Sequence, residues 1–276
     1  MYGIVTRNPD ELTWDEFDLT FFEVKGVNGR VTQPEAGHIS VISCFGDTAR
    51  SVADPDLVPV DDAGSPANRE HARFDWGYIC PTREDYREEL LDFIEEVAGV
   101  TPNIRIDEIG FPDEGYCRCA TCQTRFAEST IPTWQEWRQH IIVDFVRAVR
   151  KRVSGKLYIT LYPDPYPGHL ARRMGVDIER IEPLVDEFVI PLYDQAYSSP
   201  YWVETLATGF ASRLSTPFSV ELFASDSSID SLVSVSEILE PVASSVVYGY
   251  DGAQARATVR RIRANEHAGT THYPDR

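Results

Sequence analysis

Lysine is almost absent from this sequence. It occurs only at Lys25, Lys151 and Lys156 among 276 residues, so arginine supplies nearly all of the positive charge. Acidic residues outnumber basic ones by 44 to 26, and the formal net charge is -18. So strong a negative charge argues against nucleic acid or an anionic membrane as a partner. An acidic, lysine-poor composition is typical of proteins from salt-loving microbes, and an ordinary acidic cytoplasmic protein is the alternative.

The sequence also lacks long apolar segments. No run approaches the roughly 20 residues that a membrane-spanning helix requires. Residues 1–17, MYGIVTRNPDELTWDEF, contain no apolar core resembling that of a signal peptide. The five cysteines are odd in number and three of them lie within residues 117–122, which favours a reducing compartment and a bound metal over disulfides. We therefore expect a cytoplasmic protein without a membrane span.

Short β-rich runs alternate with helical patterns along the chain, which is typical of parallel βα units. The predicted strands are Tyr2–Thr6, Leu19–Val24, His38–Phe45, Ile104–Ile109, Leu157–Tyr162, Phe188–Tyr193, Phe218–Phe223 and Val246–Tyr250. Eight such strands close naturally into a (β/α)8 barrel, here one domain over residues 1–276. A doubly wound open sheet is the alternative, but no glycine-rich phosphate-binding loop follows any of the strands.

Apolar residues recur at helical spacing in the segments between these strands. The pattern is clearest around residues 86–97 and 137–149, and further helices are predicted at Ile178–Val185, Tyr201–Leu214, Ile229–Val242 and Ala253–His267. Residues 28–37 are too few for a crossover helix, and residues 47–74 are rich in Pro, Asp, Ala and Gly without periodicity. The second segment is predicted to be a long loop over the carboxyl face of the barrel.

Acidic residues lie at the carboxyl ends of most of the predicted strands, where barrel enzymes place their chemistry. These residues are Glu23, Asp107, Glu108, Asp164, Asp194, Glu221 and Asp251. A ring of acids without clustered lysines suits a neutral polyol or a hard metal ion. Tyr162, Tyr193 and Tyr250 lie near the same strand ends and are suited to stacking on sugar rings. We therefore predict a carbohydrate-binding site formed by these acids and tyrosines.

Glu221 lies within the apolar run of residues 218–223. An ionised group is costly there unless it has a partner or a chemical role. Strand alternation puts Val220 and Leu222 on the face toward the helices and therefore turns Glu221 into the barrel. The residue is a candidate for catalysis, and the alternative is a buried ion pair with a residue such as Arg105.

The fourth predicted strand ends in two adjacent acids. Alternation directs Arg105 and Asp107 into the barrel and Glu108 away from it, but a turn after Asp107 would free Glu108 to face the cleft. One of these acids is the predicted proton donor, and its pKa must be raised for it to hold a proton near neutrality. With Glu221 it would form the two-carboxyl pair of a glycosidase, about 5 Å apart for retention and further apart for inversion.

Four cysteines have the spacing of a metal site. Cys117, Cys119 and Cys122 form a Cys-x-Cys-x-x-Cys motif, and Cys80 lies upstream. Grouped thiolates suit a tetrahedral zinc ion, and four of them leave no open coordination position for catalysis. We therefore predict a structural zinc site that includes the loop after the fourth strand. Cys44 lies in an apolar strand and is predicted to be a small buried residue.

Several motifs between residues 76 and 153 resemble a known family. They are Cys80-Pro81, Tyr86-Arg87-Glu88 at the start of a helix, an acidic strand end, and the segment from Tyr116 to Phe126, YCRCATCQTRF. Together they resemble the β-galactosidases of glycoside hydrolase family 42. The resemblance implies a barrel in which the four cysteines hold structural zinc and terminal galactosides are cleaved with retention. It also implies that Glu221 is the nucleophile and Glu108 the acid/base.

The chain departs from that family in two respects. Asp107 stands where the family carries an asparagine before its acid/base, and the family's enzymes are much longer, with a trimerisation domain that has no counterpart here. Broader groups of glycosidase-like barrels have a strand that ends in Asp, which favours Asp107 as the acid/base. Only a glycosidase-like barrel is therefore carried over from the resemblance, and the galactoside specificity is not.

Three functions are compatible with these features. The first is a retaining glycoside hydrolase acting on a neutral sugar or glycan, with Glu221 as nucleophile and Glu108 or Asp107 as acid/base. The second is a non-catalytic carbohydrate-binding or glycan-assembly barrel that has lost this pair. The third is a metal-dependent sugar isomerase or hydrolase. The residues available to its divalent ion are Glu23, Asp194, Glu221 and His169. The expected partner is a carbohydrate in each case, and a homo-oligomer is compatible with the sequence.

Overall fold

Eight short strands form a closed parallel barrel in the computed structural model, which describes residues 1–194, 197 and 199–270. The strands are β1 (Tyr2–Thr6), β2 (Leu19–Lys25), β3 (Ile39–Ser43), β4 (Ile104–Asp107), β5 (Leu157–Thr160), β6 (Glu187–Pro191), β7 (Phe218–Phe223) and β8 (Val246–Gly249). Each strand pairs in parallel with the next, and β8 pairs with β1. The structure therefore confirms the predicted (β/α)8 fold.

The helices of the described ranges lie mainly between the strands. They are α1 (Thr48–Ala53), α2 (Glu84–Val100), α3 (Ala120–Glu128), α4 (Trp134–Arg150), α5 (His169–Met174), α6 (Ile178–Ile181), α7 (Tyr201–Ala211), α8 (Ile229–Leu239) and α9 (Gly252–Thr270). Residues 28–37 contain no helix, as the sequence predicts. None of these helices combines the length and the apolar character needed to cross a membrane.

The loop after β3 is more ordered than its composition predicts. It opens with α1, because the side chain of Asp47 accepts a hydrogen bond from the backbone N–H of Arg50 at 2.9 Å and caps the helix. A helix this short has no apolar period for sequence analysis to detect. At α7 the structure contains less helix than the sequence predicts, because the helix ends at Ala211 rather than at Leu214.

Side-chain alternation divides the core into two layers. Outside the strands, residues such as Val220 and Leu222 pack against the helices and are fully buried. Inside the barrel, Phe21 and Tyr158 meet edge to face, with ring centroids 5.5 Å apart. The guanidinium of Arg105 lies 5.5 Å from the centre of the Phe21 ring, so the apolar interior gives way to charged groups at this point.

Candidate active site and cysteine cluster

A cavity of about 670 Å³ opens at the carboxyl ends of the strands. The predicted site residues that line it are Glu23, Asp107, Glu108, Tyr162, Tyr193, Glu221 and Tyr250. Residues from β1, the loop after β3 and the start of α9 complete the wall. Parallel strands bring their carboxyl ends to one face of the barrel, which is why residues so far apart in the sequence meet here.

Glu221 projects from β7 into this cavity and is only 3% exposed. Its Oε2 lies 2.5 Å from Nη1 of Arg105, and the hydroxyl of Tyr193 donates a hydrogen bond to its Oε1 at 2.5 Å. Arg105 is itself 2% exposed and donates from Nε to the hydroxyl of Thr160 at 2.9 Å. The predicted ion pair with Arg105 is therefore present, and it holds the carboxylate of Glu221 at the cavity wall instead of removing it from the cavity.

Asp107 and Glu108 both line the cavity. Glu108 has a positive φ of 49°, so the chain leaves the strand conformation directly after Asp107, and regular alternation no longer applies. Asp107 remains tied to the turn, because its Oδ1 accepts a hydrogen bond from the backbone N–H of Glu108 at 2.9 Å. This turn brings two consecutive carboxyl groups to one side of the chain.

Burial raises the pKa of Asp107, and the positive charge of Arg105 partly offsets this effect. Burial raises the pKa of Glu108 well above its usual range, and the nearby charge of Asp107 raises it further. Hydrogen-bond donors on Tyr162, Trp76 and Tyr78 face the Glu108 carboxyl and favour its ionised form, but they do not outweigh burial. Glu108 is therefore suited to hold a proton near neutrality.

Two of these donors come from a loop that the sequence did not single out. Trp76 lines the cavity, and the hydroxyl of Tyr78 lies 3.5 Å from that of Tyr162. Tyr162 in turn reaches Oε1 of Glu108 at 3.5 Å. The available signal was the pair of aromatic residues shortly before Cys80, in a stretch that lacks any period.

Three predicted acids do not line the cavity. Asp164 pairs with His169, whose Nδ1 lies 2.5 Å from Oδ2 of the carboxylate. Asp194 accepts a hydrogen bond from the indole N–H of Trp202 at 3.2 Å. Asp251 accepts one from the backbone N–H of Gln254 at 3.0 Å, in the first turn of α9. Each of these carboxylates has a partner close in sequence, which keeps it at the rim of the barrel.

Glu23 also lines the cavity and forms a two-point contact with Arg7. The Nε and Nη2 atoms of Arg7 lie 2.6 and 2.9 Å from the two oxygens of Glu23. Arg7 also lines the cavity. Paired contacts of this kind orient both groups and leave outward lone pairs and N–H groups that can bind a polar ligand.

The four predicted cysteines lie together, and their sulfur atoms are all within 4.8 Å of one another. The sulfurs of Cys80 and Cys122 are 3.4 Å apart, close to the separation of about 3.8 Å that four Zn–S bonds of about 2.3 Å would impose. All four residues are buried, and their thiolates would need a cation to balance their charge. The cluster can therefore hold a metal ion, and zinc fits its sulfur ligands.

The other cysteine and the other acids form no comparable site. Cys44 is buried outside the cluster, as predicted. Within the described ranges, no further group of three or more His, Cys, Asp or Glu side chains lies close enough together to hold a metal ion. The residues considered for a divalent ion, Glu23, Asp194, Glu221 and His169, are therefore not brought together as one such group.

The cysteine cluster joins two loops of the cavity mouth. Cys80 lies near the end of the loop after β3, which also carries Trp76 and Tyr78. Cys117 and Cys119 belong to the loop after β4, which begins at Glu108. A backbone hydrogen bond of 2.6 Å from Arg118 to Val60 links the same two loops. A metal ion in the cluster would therefore fix the loop that supplies the donors around Glu108.

Known structures share this fold. The chain is similar to alpha-L-fucosidase isoenzyme 2 from Paenibacillus thiaminolyticus, with a TM-score of 0.65 and 12% sequence identity over 95% of this chain. It is also similar to a class V chitinase from Pseudomonas fluorescens Pf-5, with a TM-score of 0.57 and 10% identity, over 95% of this chain and 99% of that one. The chain spans about half the length of the fucosidase, 46%. The sequence matches no protein-family model, and no curated protein matches it.

Proposed function

We propose that this protein is a retaining glycoside hydrolase acting on a neutral sugar or glycan, with Glu221 as nucleophile and Glu108 as acid/base. One observation carries the proposal: an ion-paired carboxylate and a carboxyl group with a raised pKa line the same cavity. Retaining glycosidases need such a pair, because one group attacks the sugar while the other donates a proton. The fold, shared with a fucosidase and a chitinase, is consistent with this activity.

In the first proposed step, an oxygen of Glu221 attacks the anomeric carbon. The new bond forms as the bond to the leaving oxygen breaks, and Glu108 gives its proton to that oxygen. In the second step, the Glu108 carboxylate takes a proton from water, and the water oxygen displaces Glu221 from the anomeric carbon. Two inversions at this carbon give net retention, which requires the two carboxyl groups to be about 5–5.5 Å apart.

Arg105 and Tyr193 have a supporting role in this mechanism. They contact different oxygens of Glu221, so the buried carboxylate is held in one orientation with its charge balanced. Asp107 acts as a positioning residue rather than as the acid/base, because one of its oxygens already binds the backbone N–H of Glu108. Its charge also favours the protonated form of Glu108.

We further propose that the cysteine cluster holds zinc. The ligands would be Cys80, Cys117, Cys119 and Cys122. A zinc ion with four thiolate ligands has no open position for substrate or water. It would stabilise the loops around the cavity and take no part in the reaction itself.

The test compares Glu221→Gln and Glu108→Gln with the wild type on two kinds of substrate. These are 2,4-dinitrophenyl glycosides that differ in the sugar, and glycans that carry the preferred sugar. Glu221→Gln should lose activity on both kinds. Glu108→Gln should lose about 100-fold or more in kcat/KM on glycans and far less on dinitrophenyl glycosides, because dinitrophenolate leaves without a proton.

The control is Glu204→Gln, which changes an exposed carboxylate on α7 and should leave both activities unaltered. Proton NMR of the first-formed product should show the anomeric configuration of the substrate. Unchanged turnover in Glu221→Gln would remove that residue from the chemistry, and an inverted first product would exclude the two-step mechanism.

A further inference from the structure

A threonine hydroxyl lies between two sulfurs of the cysteine cluster. Oγ1 of Thr82 is 3.2 Å from Sγ of Cys80 and 3.1 Å from Sγ of Cys122, and both sulfurs are within hydrogen-bond distance. Thr82 is fully buried, so the solvent offers its hydroxyl no partner. Buried hydroxyl groups are almost always hydrogen-bonded, and here the sulfurs are within reach. The hydroxyl of Thr82 is therefore directed at the cluster.

The backbone holds Thr82 in this place. The N–H of Arg83 donates to the C=O of Cys80 at 3.0 Å and closes a turn around Thr82. The C=O of Thr82 accepts a hydrogen bond from Nη1 of Arg125 at 2.8 Å. Arg125 belongs to α3, the helix that also carries Cys122. Thr82 is thus fixed to both of the segments whose sulfurs it contacts, which lowers the entropic cost of binding a metal between them.

Metal binding would decide the direction of these hydrogen bonds. A thiol can donate to the hydroxyl of Thr82 or accept from it, whereas a metal-bound thiolate has no hydrogen and can only accept. Four thiolates around a divalent ion leave an excess of negative charge in a buried place, which is costly without hydrogen-bond donors. Two donors face the sulfurs, the hydroxyl of Thr82 and the backbone N–H of Cys119, which lies 3.4 Å from Sγ of Cys117.

We infer that Thr82 is a positioning residue of the metal site, whose hydroxyl donates to the thiolate of Cys80 or Cys122 and slows the loss of the bound metal. The inference rests on the proposed zinc site. Contacts of this kind to metal ligands typically contribute about 10- to 100-fold to metal affinity. Cys80 belongs to the loop after β3 and Cys122 to α3. Thr82 therefore supports the connection between the two loops at the cavity mouth.

The test is Thr82→Val, which removes the hydroxyl and preserves the size and shape of the side chain. Zinc-loaded protein is mixed with an excess of a chromogenic chelator, and the transfer of zinc is followed by the absorbance of the dye complex. Zinc should leave Thr82→Val about 10-fold faster or more than the wild type. Thr82→Ser keeps the hydroxyl and loses only the methyl group, so it should release zinc at close to the wild-type rate.

The cobalt(II) form gives a readout of the hydrogen bond itself. Its sulfur-to-metal charge-transfer absorption reports the electron density on the sulfurs, which a hydrogen-bond donor lowers. The absorption of Thr82→Val should therefore lie at longer wavelength than that of the wild type, and the absorption of Thr82→Ser should not move. The control is Thr258→Val, which removes a fully buried hydroxyl of α9 that donates to the C=O of Gln254 at 3.0 Å. It should change neither the release rate nor the absorption.

Zinc release from Thr82→Val at the wild-type rate would overturn the inference. Equal acceleration in Thr82→Val and Thr82→Ser would overturn it as well, because it would indicate packing of the methyl group.

If Thr82→Val does not fold, the wild type supplies the answer when it is loaded with an NMR-active cadmium isotope. The hydroxyl hydrogen of Thr82 should then be coupled to the metal through a sulfur, and the absence of this coupling would refute the donor role. A different result would refute the zinc site and this inference with it, namely a wild type in which elemental analysis finds no metal. The glycosidase proposal is tested separately by Glu221→Gln.

Discussion

Asp107 and Glu108 are neighbours in the chain, and their side chains nevertheless line the same cavity. Consecutive residues of a regular strand point to opposite faces, but the positive φ of 49° at Glu108 ends β4 and changes the direction of its side chain. Burial raises the pKa of Glu108, and the charge of Asp107 adds to this effect. The neighbouring carboxylate therefore contributes to the protonation behaviour of the proposed donor.

Asp107→Asn should move the alkaline limb of the pH–rate profile to lower pH. Asparagine removes the negative charge beside Glu108 and so lowers its pKa, although burial still keeps that pKa above its usual range. Because the protonated form of Glu108 is the active donor, activity should decline at lower pH than in the wild type. The measurement is kcat/KM for a glycan as a function of pH. An alkaline limb that stays in place would contradict the electrostatic role of Asp107.

Glu108→Gln should stabilise the protein at neutral pH. Folding raises the pKa of Glu108 above its unfolded value, which is near 4.3. Unfolding therefore releases a proton at any pH between these two values. The free energy of unfolding falls as the pH rises through this range. Glutamine does not ionise, so the variant does not lose stability in this way as the pH rises. We expect the melting temperature to rise by about 2–4 °C near pH 7, the shift that roughly 1 kcal/mol produces in a protein of similar size. The gain should disappear below about pH 4, and a gain that is independent of pH would point to packing instead.

The fold could be predicted because its signals are local. Each strand is a short apolar run between turn residues, and eight such runs separated by helical patterns leave few alternatives to a closed barrel. The grouping of the four cysteines was also predictable, since Cys117, Cys119 and Cys122 lie close in sequence and only Cys80 is remote. The inward direction of Glu221 followed from the alternation of β7.

The detail of the site could not be predicted from the same signals. The turn at Glu108 depends on a backbone angle that alternation does not reveal. Trp76 lies in a loop without periodicity, where neither position nor direction can be inferred. Asp164 and Asp251 follow strands as active-site acids do, but nearby partners hold them elsewhere. The sequence around such an acid does not show whether its side chain lines the cavity or is held away from it.

Arg105→Met should destabilise the protein by about 3–5 kcal/mol, because it leaves the buried carboxylate of Glu221 without its partner. The double variant Arg105→Met/Glu221→Met should recover much of this loss, since no unpaired charge remains. Urea unfolding curves give both values. The control is Arg50→Met, which breaks an exposed pair with Glu89 and should change the free energy of unfolding by less than about 1 kcal/mol. Equal effects of the two single variants would contradict this account.

Loss of the metal should destabilise the protein and reduce its activity. Cys119→Ser removes one of the four proposed ligands, whereas Cys44→Ser changes a buried cysteine outside the cluster. We expect about one zinc per chain by elemental analysis in the wild type and in Cys44→Ser, and little in Cys119→Ser. The melting temperature of Cys119→Ser should fall by about 10 °C or more, and a chelator should have the same effect on the wild type. Full metal content in Cys119→Ser would exclude the proposed ligand set.

Gly249→Ala should reduce activity with little change in stability. A Cβ at position 249 would lie 3.0 Å from Oε1 of Glu221, and its next nearest contacts are at 3.9 Å. The new methyl group therefore displaces the carboxylate of the proposed nucleophile while meeting little else, and we expect a loss of about 10-fold or more in kcat/KM. Gly99→Ala, in α2, has nothing within 4 Å and serves as the control. It should retain full activity and gain about 0.5–1 kcal/mol in stability.

Arg105 belongs to β4 and Glu221 to β7. The first four strands and the last four thus each contribute one member of a buried ion pair. Separation of the two halves would break this pair, which is strongly unfavourable while either member stays buried. We therefore expect the barrel to melt in a single cooperative transition, with no intermediate in which one half stays folded after the other has come apart.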